Sequence, residues 1–203
     1  MTTTEPRLTR KGWATRQRII EAAADLMYEH GVKGTNNDLI RQAAGVSGSQ
    51  LSHYFPDKES LVRAVLDWQA DAMMGAHSQP PRGELDSVAA LRAWAASYLG
   101  PGEPWRGGCR FGSLAGEVLK TEPALRDDVV RGFGRWRDQF RGGLLAMRDR
   151  GELRADTDID RLAYVLMTAF QGGLLLAQAT GDPAPLRAAL DTAVGEVARH
   201  AVA

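Results

Sequence analysis

Residues 45–61 read GVSGSQLSHYFPDKESL. Gly45 separates two short helical stretches, and glycine reaches the left-handed geometry of a sharp turn at no steric cost. Val46 can plug the angle between the helices, and Ser47 restarts the chain as an N-cap. On the second helix Leu51 and Phe55, four apart, form an inward stripe, which leaves Gly48, Ser49, Ser52 and His53 facing out. Ser47-Gly48-Ser49-Gln50 fits a capping box that ties Gln50 to the Ser47 amide; left free, the same side chain could pair with adenine N6 and N7. A short helix, a glycine turn and a second short helix make a helix-turn-helix, whose second helix can enter a DNA major groove. Its small outward residues are what close approach to base edges requires, because bulk would hold the backbone away.

Helical periodicity extends outward in both directions. Residues 12–30 place Ile19, Ala22, Ala23, Leu26 and Met27 on one face, and Gly31 ends that helix. Asn36 caps the short helix that carries Leu39, Ile40, Ala43 and Ala44. Asp57 caps a fourth helix with Leu61, Val62, Val65 and Leu66 at core spacing, running to about His77. After the break SQPPRG (residues 78–83), helices are expected at about 84–99, 109–121, 123–150, 158–180 and 184–201. No alternating apolar run marks a strand. The chain reads as all-α, about nine helices, with an N-terminal helix-turn-helix domain (1–56) and a helical ligand-binding and dimerisation domain (57–203).

The 203 residues carry 25 Lys and Arg against 25 Asp and Glu, so no global charge advertises a polyanionic partner. Arg7, Arg10, Lys11, Arg16 and Arg18 nevertheless form a local basic arm without an acid among them. A single cysteine, Cys109, excludes an intrachain disulfide framework. With no signal-type segment and no apolar run long enough to span a bilayer, a cytoplasmic chain with no membrane partner is expected.

Gly34-Thr35, Ile40, Ala43-Ala44-Gly45-Val46-Ser47, Leu51 and the run His53 to Leu61 strongly resemble the TetR family of transcriptional regulators. The match is close over about residues 15–62. A weaker likeness, in residues 108–117 (GCRFGSLAGE) and 171–176 (QGGLLL), is to the ligand-binding domains of the family's LmrA/YxaF-like branch. The resemblance implies a ligand-responsive regulator, usually a repressor, that binds a palindromic double-stranded DNA operator as a homodimer and releases it on binding a small molecule.

By that resemblance and the helix geometry, Gly48, Ser49, Gln50, Ser52 and His53 are groove candidates, with Tyr54 and Lys58 on phosphate. Asn36 and Asn37 either reach the backbone or simply cap their helix. Arg16 and Arg18 supply non-specific attraction. The family often has lysine at Gly48, threonine at Gln50 and tyrosine at Ser52, so the operator cannot be borrowed from a relative. His53 has no partner at metal-ligand spacing, and no metal or cofactor is expected.

Ile159, Leu162, Leu166, Phe170 and Gly173 line one stripe of the penultimate helix; Leu186, Leu190, Val194 and Val197 line another on the last. Such a helix pair either buries these against its own domain or, as in TetR-like proteins, meets its copy as a four-helix bundle; the latter is the expectation. Trp94, Tyr98, Phe111, Phe133, Trp136 and Gln171 are the pocket candidates for an apolar or aromatic effector. Cys109 is either a buried small hydrophobe or a redox switch. Two other functions compete: a carrier that has lost operator recognition, and a helical enzyme using Cys109 as nucleophile. The enzyme has little behind it, since His30, His53, His77 and His200 all lie far from Cys109 in sequence.

Overall fold

The computed structural model describes residues 8–78 and 84–202. Arg7 and nearly all of the 78–83 break lie outside them. Among the described residues are nine α-helices: α1 (Arg10–Gly34), α2 (Asn37–Ala44), α3 (Gly48–Tyr54), α4 (Lys58–Ser78), α5 (Val88–Leu99), α6 (Arg110–Thr121), α7 (Arg126–Asp149), α8 (Ile159–Thr180) and α9 (Ala184–Arg199). A 3-10 turn, Pro123–Leu125, precedes α7, and no described segment is a strand.

The described residues up to Trp68 pack with Leu114–Asp128 as one compact unit; Gln69–Ser113 and the chain from Val129 onward form a second. Packing therefore carries the first unit past residue 56, through about three turns of α4, and adds the segment around the α6–α7 corner. In this first unit α4 buries Leu61, Val62, Val65 and Leu66 as periodicity indicates; α1 buries Ile19, Ala23 and Met27 of its expected face, with Ile20 and Ala24 buried beside them and Ala22 and Leu26 only half-buried. Ile40, Leu51, Phe55, Val118 and Leu125 are buried there too.

Gly31 interrupts α1 with φ 72° and ψ 169°, so the amides beyond it leave the helical ladder. Glu117 receives them: its Oε2 accepts from Val32 N at 2.8 Å and its Oε1 from Lys33 N at 3.2 Å. A Cβ at Gly31 would stand 2.9 Å from Glu117 Oε2, so the kink and the carboxylate fit only with glycine. A hydrogen bond to a charged group contributes about 1.5–3 kcal/mol. Glu117→Ala leaves the buried Val32 amide unpaired and is expected to destabilise by about 2 kcal/mol, read from the urea midpoint at unchanged slope. Glu117→Gln, which keeps one acceptor, should lose clearly less.

The same unit holds a second long-range tie. Arg63 of α4 donates to the buried Asp128 at 3.2 Å and to Glu59 at 2.7 Å. Asp128 stands in the first turn of α7, where a carboxylate also suits the helix dipole.

The second unit is built on the α8–α9 pair. Trp94, Trp136, Phe140 and Phe170 form its aromatic centre, with Trp94–Phe140 and Trp136–Phe170 centroids both 5.0 Å apart. This packing corrects the expected dimer surface. Ile159, Leu162, Leu166, Phe170, Gly173, Leu186, Leu190, Val194 and Val197 are all buried within their own chain, so they cannot be the face offered to a copy. Gly173 serves the intrachain contact as well, since a Cβ there would lie 3.0 Å from Leu186 Cα. The exposed side of α8 instead presents Tyr164, Leu175 and Leu176. Periodicity located an apolar stripe, but α8 has apolar residues on two faces and the pattern alone did not say which was inside.

Candidate nucleic-acid interface and effector pocket

The turn between α2 and α3 is closed by backbone geometry. Gly45 takes φ 63° and ψ 44°, Val46 N donates to Arg41 O at 3.1 Å, and Gly45 N reaches Gln42 O at 3.4 Å. This double closure satisfies carbonyls that end α2 and sets the angle at which α3 departs. Ser47 then opens α3 with the capping box: Gln50 N donates to Ser47 Oγ at 3.2 Å, and Ser47 N donates to Gln50 Oε1 at 2.9 Å. Of the two readings of Gln50, this structure shows the cap. Ser49 Oγ lies 2.9 Å from Ser47 Oγ, at the same corner.

Leu51 and Phe55 point inward, 4% and 5% exposed, which fixes the rotation of α3. Gly48, Ser49, Gln50, Ser52 and His53 are all exposed, and Tyr54 is half-buried with its ring edge-on to His53 at 5.0 Å. A Cβ at Gly48 would meet nothing nearer than Arg41, at 3.8 Å. The surface of α3 is therefore a shallow, uncharged ridge of small groups with the His53 imidazole at one end.

Around this ridge lie the cations. Lys58, in the first turn of α4, donates from Nζ to Thr35 O at 2.9 Å. An ammonium has three donors, so this bond orients Lys58 while leaving two for an anion. Asn36 accepts from the amides of Asp38 and Leu39, both at 3.0 Å, and so acts as the α2 cap; Asn37 is exposed beside it. These residues, with Lys33 and Ser52, border an open cleft of about 480 Å³. Arg16 lies over the Phe55 ring, its guanidinium carbon 5.2 Å from the centroid, whereas Arg18 is exposed on α1.

Asp57 caps α4 by accepting from Ser60 N at 2.7 Å, and Ser60 Oγ donates to Asp57 O at 2.8 Å. The Ser60 amide, then its hydroxyl, hold the Asp57 carboxyl below the usual aspartate range. A depressed carboxyl contributes stability that is present above its unfolded pKa of about 3.9 and lost as pH falls through the folded value. Asp57→Asn should therefore remove part of the fall in stability below about pH 4, checked by urea unfolding at neutral and acid pH.

In the second unit the pocket candidates separate into two groups. Trp94, Trp136 and Phe111 are 0%, 0% and 2% exposed and belong to the packed interior, with Phe111 edge-on to Phe133 at 4.8 Å. Tyr98 is half-buried against Phe170 at 4.6 Å. Phe133 and Gln171, by contrast, line a half-open cavity of about 290 Å³ together with Cys109, Ser113, Leu175 and Gln178. Cys109 sits just before α6, where its Sγ accepts from Gly112 N at 3.2 Å and from Gln171 Nε2 at 3.4 Å. Sequence reading missed Ser113, Leu175 and Gln178; the signal available was Gln171 and Gln178, seven apart and hence on one side of a helix. No group of three or more metal-ligating side chains occurs among the described residues.

Residues 19–65 match the family model described as bacterial regulatory proteins, tetR family, and residues 87–193 match the tetracyclin repressor-like C-terminal domain. The chain is 25% identical over 173 residues to the HTH-type transcriptional repressor DhaR of Mycobacterium sp. strain GP1, covering 84% of this chain and 86% of that one. It is also 25% identical over 189 residues to the repressor AcnR of Corynebacterium glutamicum, covering 92% and 94% of the two chains. In fold it is similar to the crystal structure of a TetR family regulator from Cytophaga hutchinsonii, with a TM-score of 0.83 at 20% identity, covering 97% of this chain and 100% of the other.

Proposed function

Because the chain belongs to the TetR family of bacterial regulatory proteins, we propose that it grips a two-fold symmetric DNA operator as a homodimer and lets go when a small molecule occupies its second unit. It is a helix-turn-helix transcriptional regulator, not an enzyme; regulators of this family bind operators and typically dimerise. The observation that carries the reading is the outward face of α3, where Gly48, Ser49, Ser52 and His53 are exposed on a helix whose other side is pinned by Leu51 and Phe55.

Gly48 and Ser49 let the start of α3 approach the base edges, Ser52 and His53 offer hydrogen bonds to them, and Gln50 holds the helix together. Lys58, Asn37, Tyr54 and Arg18 meet phosphates and set the register without reading sequence. Arg16, stacked on Phe55, couples that charge to the fold. One such helix buries too little DNA for strong selectivity, so two copies read two half-sites. The exposed face of α8 (Tyr164, Leu175 and Leu176) is the surface on which they meet. The effector acts by favouring a form of the dimer whose half-site spacing is wrong; a hundredfold loss of affinity needs about 2.7 kcal/mol of differential binding. Helices α4, α6 and α7 each run from one compact unit into the other and are the connections through which this bias passes. Working on chromosomal DNA, the protein acts in the cytoplasm, and repression is its mode, as in DhaR and AcnR by their names.

The test is binding to DNA from immediately upstream of its own gene, with an unrelated duplex as competitor and salt varied. Competitor-resistant binding whose log affinity falls linearly with log salt is expected. Absence of binding to any DNA at low salt would remove the regulator reading and favour the carrier.

A further inference from the structure

The cavity beside Cys109 has a built floor. A Cβ at Gly108 would come within 2.4 Å of Gln178 Oε1, and one at Gly112 within 2.8 Å of Gln171 Oε1. Both glycines thus make room for glutamines that reach across from α8. Gln171 spends one amide hydrogen on Cys109, whereas its Oε1, the Ser113 hydroxyl and the Gln178 amide make no hydrogen bond to any described residue. The remaining wall is apolar, from Phe133 and Leu175, and no charged side chain lines the space.

Leu175 links this cavity to a second feature. It lines the cavity and is also 65% exposed, on the same helix that presents Leu176 and Tyr164 to solvent. From Leu162 to Thr180 α8 carries no charged side chain. Its most apolar window has a mean hydropathy of 1.4, yet only 44% of that window is buried within the chain. An isologous contact brings each patch against its own copy, so any charge near the axis meets its like. Around Leu175 and Leu176 α8 brings no charge of its own, and Arg137, which donates to the Tyr164 hydroxyl at 3.0 Å, is ion-paired with Asp138 at 2.6 Å, so a second copy is the occupant this face suits.

We propose that a second copy of the chain, seated on the outer face of α8, closes this cavity into an effector chamber for a small uncharged molecule with hydrogen-bonding groups. The inference rests on the dimer reading above and adds that the effector site is complete only in the dimer. A charged ligand entering a closed chamber without a counter-charge would lose its hydration uncompensated. A neutral one can engage the Gln171 carbonyl, the Gln178 amide and the Ser113 hydroxyl while its flat face lies on Phe133. At about 290 Å³ the chamber is at the small end of ligand pockets.

Cys109, the sole cysteine, makes the test possible without knowing the effector. Its alkylation by a polyethylene-glycol maleimide is timed in the intact protein and in Leu176→Glu, which puts like charges at the contact without touching the cavity wall, with sedimentation run alongside. Intact protein diluted until it dissociates gives the same comparison without a substitution. A dimer that labels at least tenfold more slowly than the monomer supports the proposal. Equal rates in dimer and monomer overturn it and leave the dimer reading standing. A chain that sediments as a monomer at every concentration overturns the dimer reading itself. The ligand class is probed with iodoacetamide and iodoacetate, alike in size: relative to the same pair on glutathione, the dimer should favour the neutral reagent at least tenfold. No such preference would overturn the uncharged-ligand assignment.

Discussion

Gly143→Ala is expected to unfold the second unit, although alanine in a helix interior is normally better than glycine by about 1 kcal/mol. A Cβ at this position of α7 would lie 2.1 Å from Leu85 O and 2.6 Å from Leu85 C. Those are backbone atoms, and no side-chain rotation can relieve the overlap. Nor is the segment free to retreat. Leu85 is buried at 2% exposure, and Asp86 is tied to Arg150, just past the end of α7, by an ion pair at 3.0 Å. Overpacking of a tight core costs about 1–3 kcal/mol where side chains can adapt, and a clash with fixed backbone belongs at or beyond the upper end. Neighbouring Gly142 supplies the control. Nothing lies within 4 Å of a Cβ there, so Gly142→Ala should stabilise by about 0.5–1 kcal/mol. Thermal unfolding of the two variants should therefore move in opposite directions. If both gain stability, the close approach of α7 to residue 85 is wrong.

Gly48→Glu should abolish specific DNA binding and leave the fold intact. The position is exposed, a Cβ there has room, and an acidic residue in the first turn suits the helix dipole. The protein alone should therefore melt as the parent does. Against DNA the same side chain is the wrong size and the wrong sign: it holds α3 off the base edges and brings a carboxylate among phosphates. Like-charge juxtaposition across an interface costs several kcal/mol, so at least a hundredfold loss of affinity is expected at fixed salt. Lys58→Ala, which removes the proposed phosphate contact, should instead weaken binding to all sequences alike and flatten the salt dependence by about one unit of slope. A Gly48→Glu protein that still binds within threefold of the parent would take α3 out of the groove.

These two glycines also mark what a sequence can and cannot disclose. Around Gly45 the information is local. Asn36, Ser47 with Gln50, and Asp57 each cap a helix within three residues of themselves, and the structure has all three caps. Helix type and approximate extent follow equally well from periodicity, as α8 and α9 illustrate. What periodicity lacks is a direction. The stripe from Ile159 to Gly173 is apolar whether it faces its own chain or a copy, and only the packed α8–α9 pair shows that it faces inward. Long-range pairing is silent in the same way. Glu117 finds Val32 across a separation of 85 positions, and nothing near either residue foretells the partner. The cavity was half legible. Phe133 and Gln171 stood out by type, while Gly108 and Gly112 gain meaning only once the glutamines opposite them are seen.

The capping box at the start of α3 has a consequence for how this protein can change. Gln50 sits among the exposed residues of α3, yet its carbonyl is committed to the Ser47 amide, so the helix keeps its start whatever its neighbours become. If α3 reads DNA as proposed, maintenance of the scaffold and choice of target fall to different side chains a single position apart. After gene duplication one copy could drift at 48, 49, 52 and 53 toward a new address on the chromosome, while Ser47 and Gln50 preserve a competent fold at every step. The same separation tells an engineer where to randomise, and where not to, when building a set of switches that ignore one another's promoters.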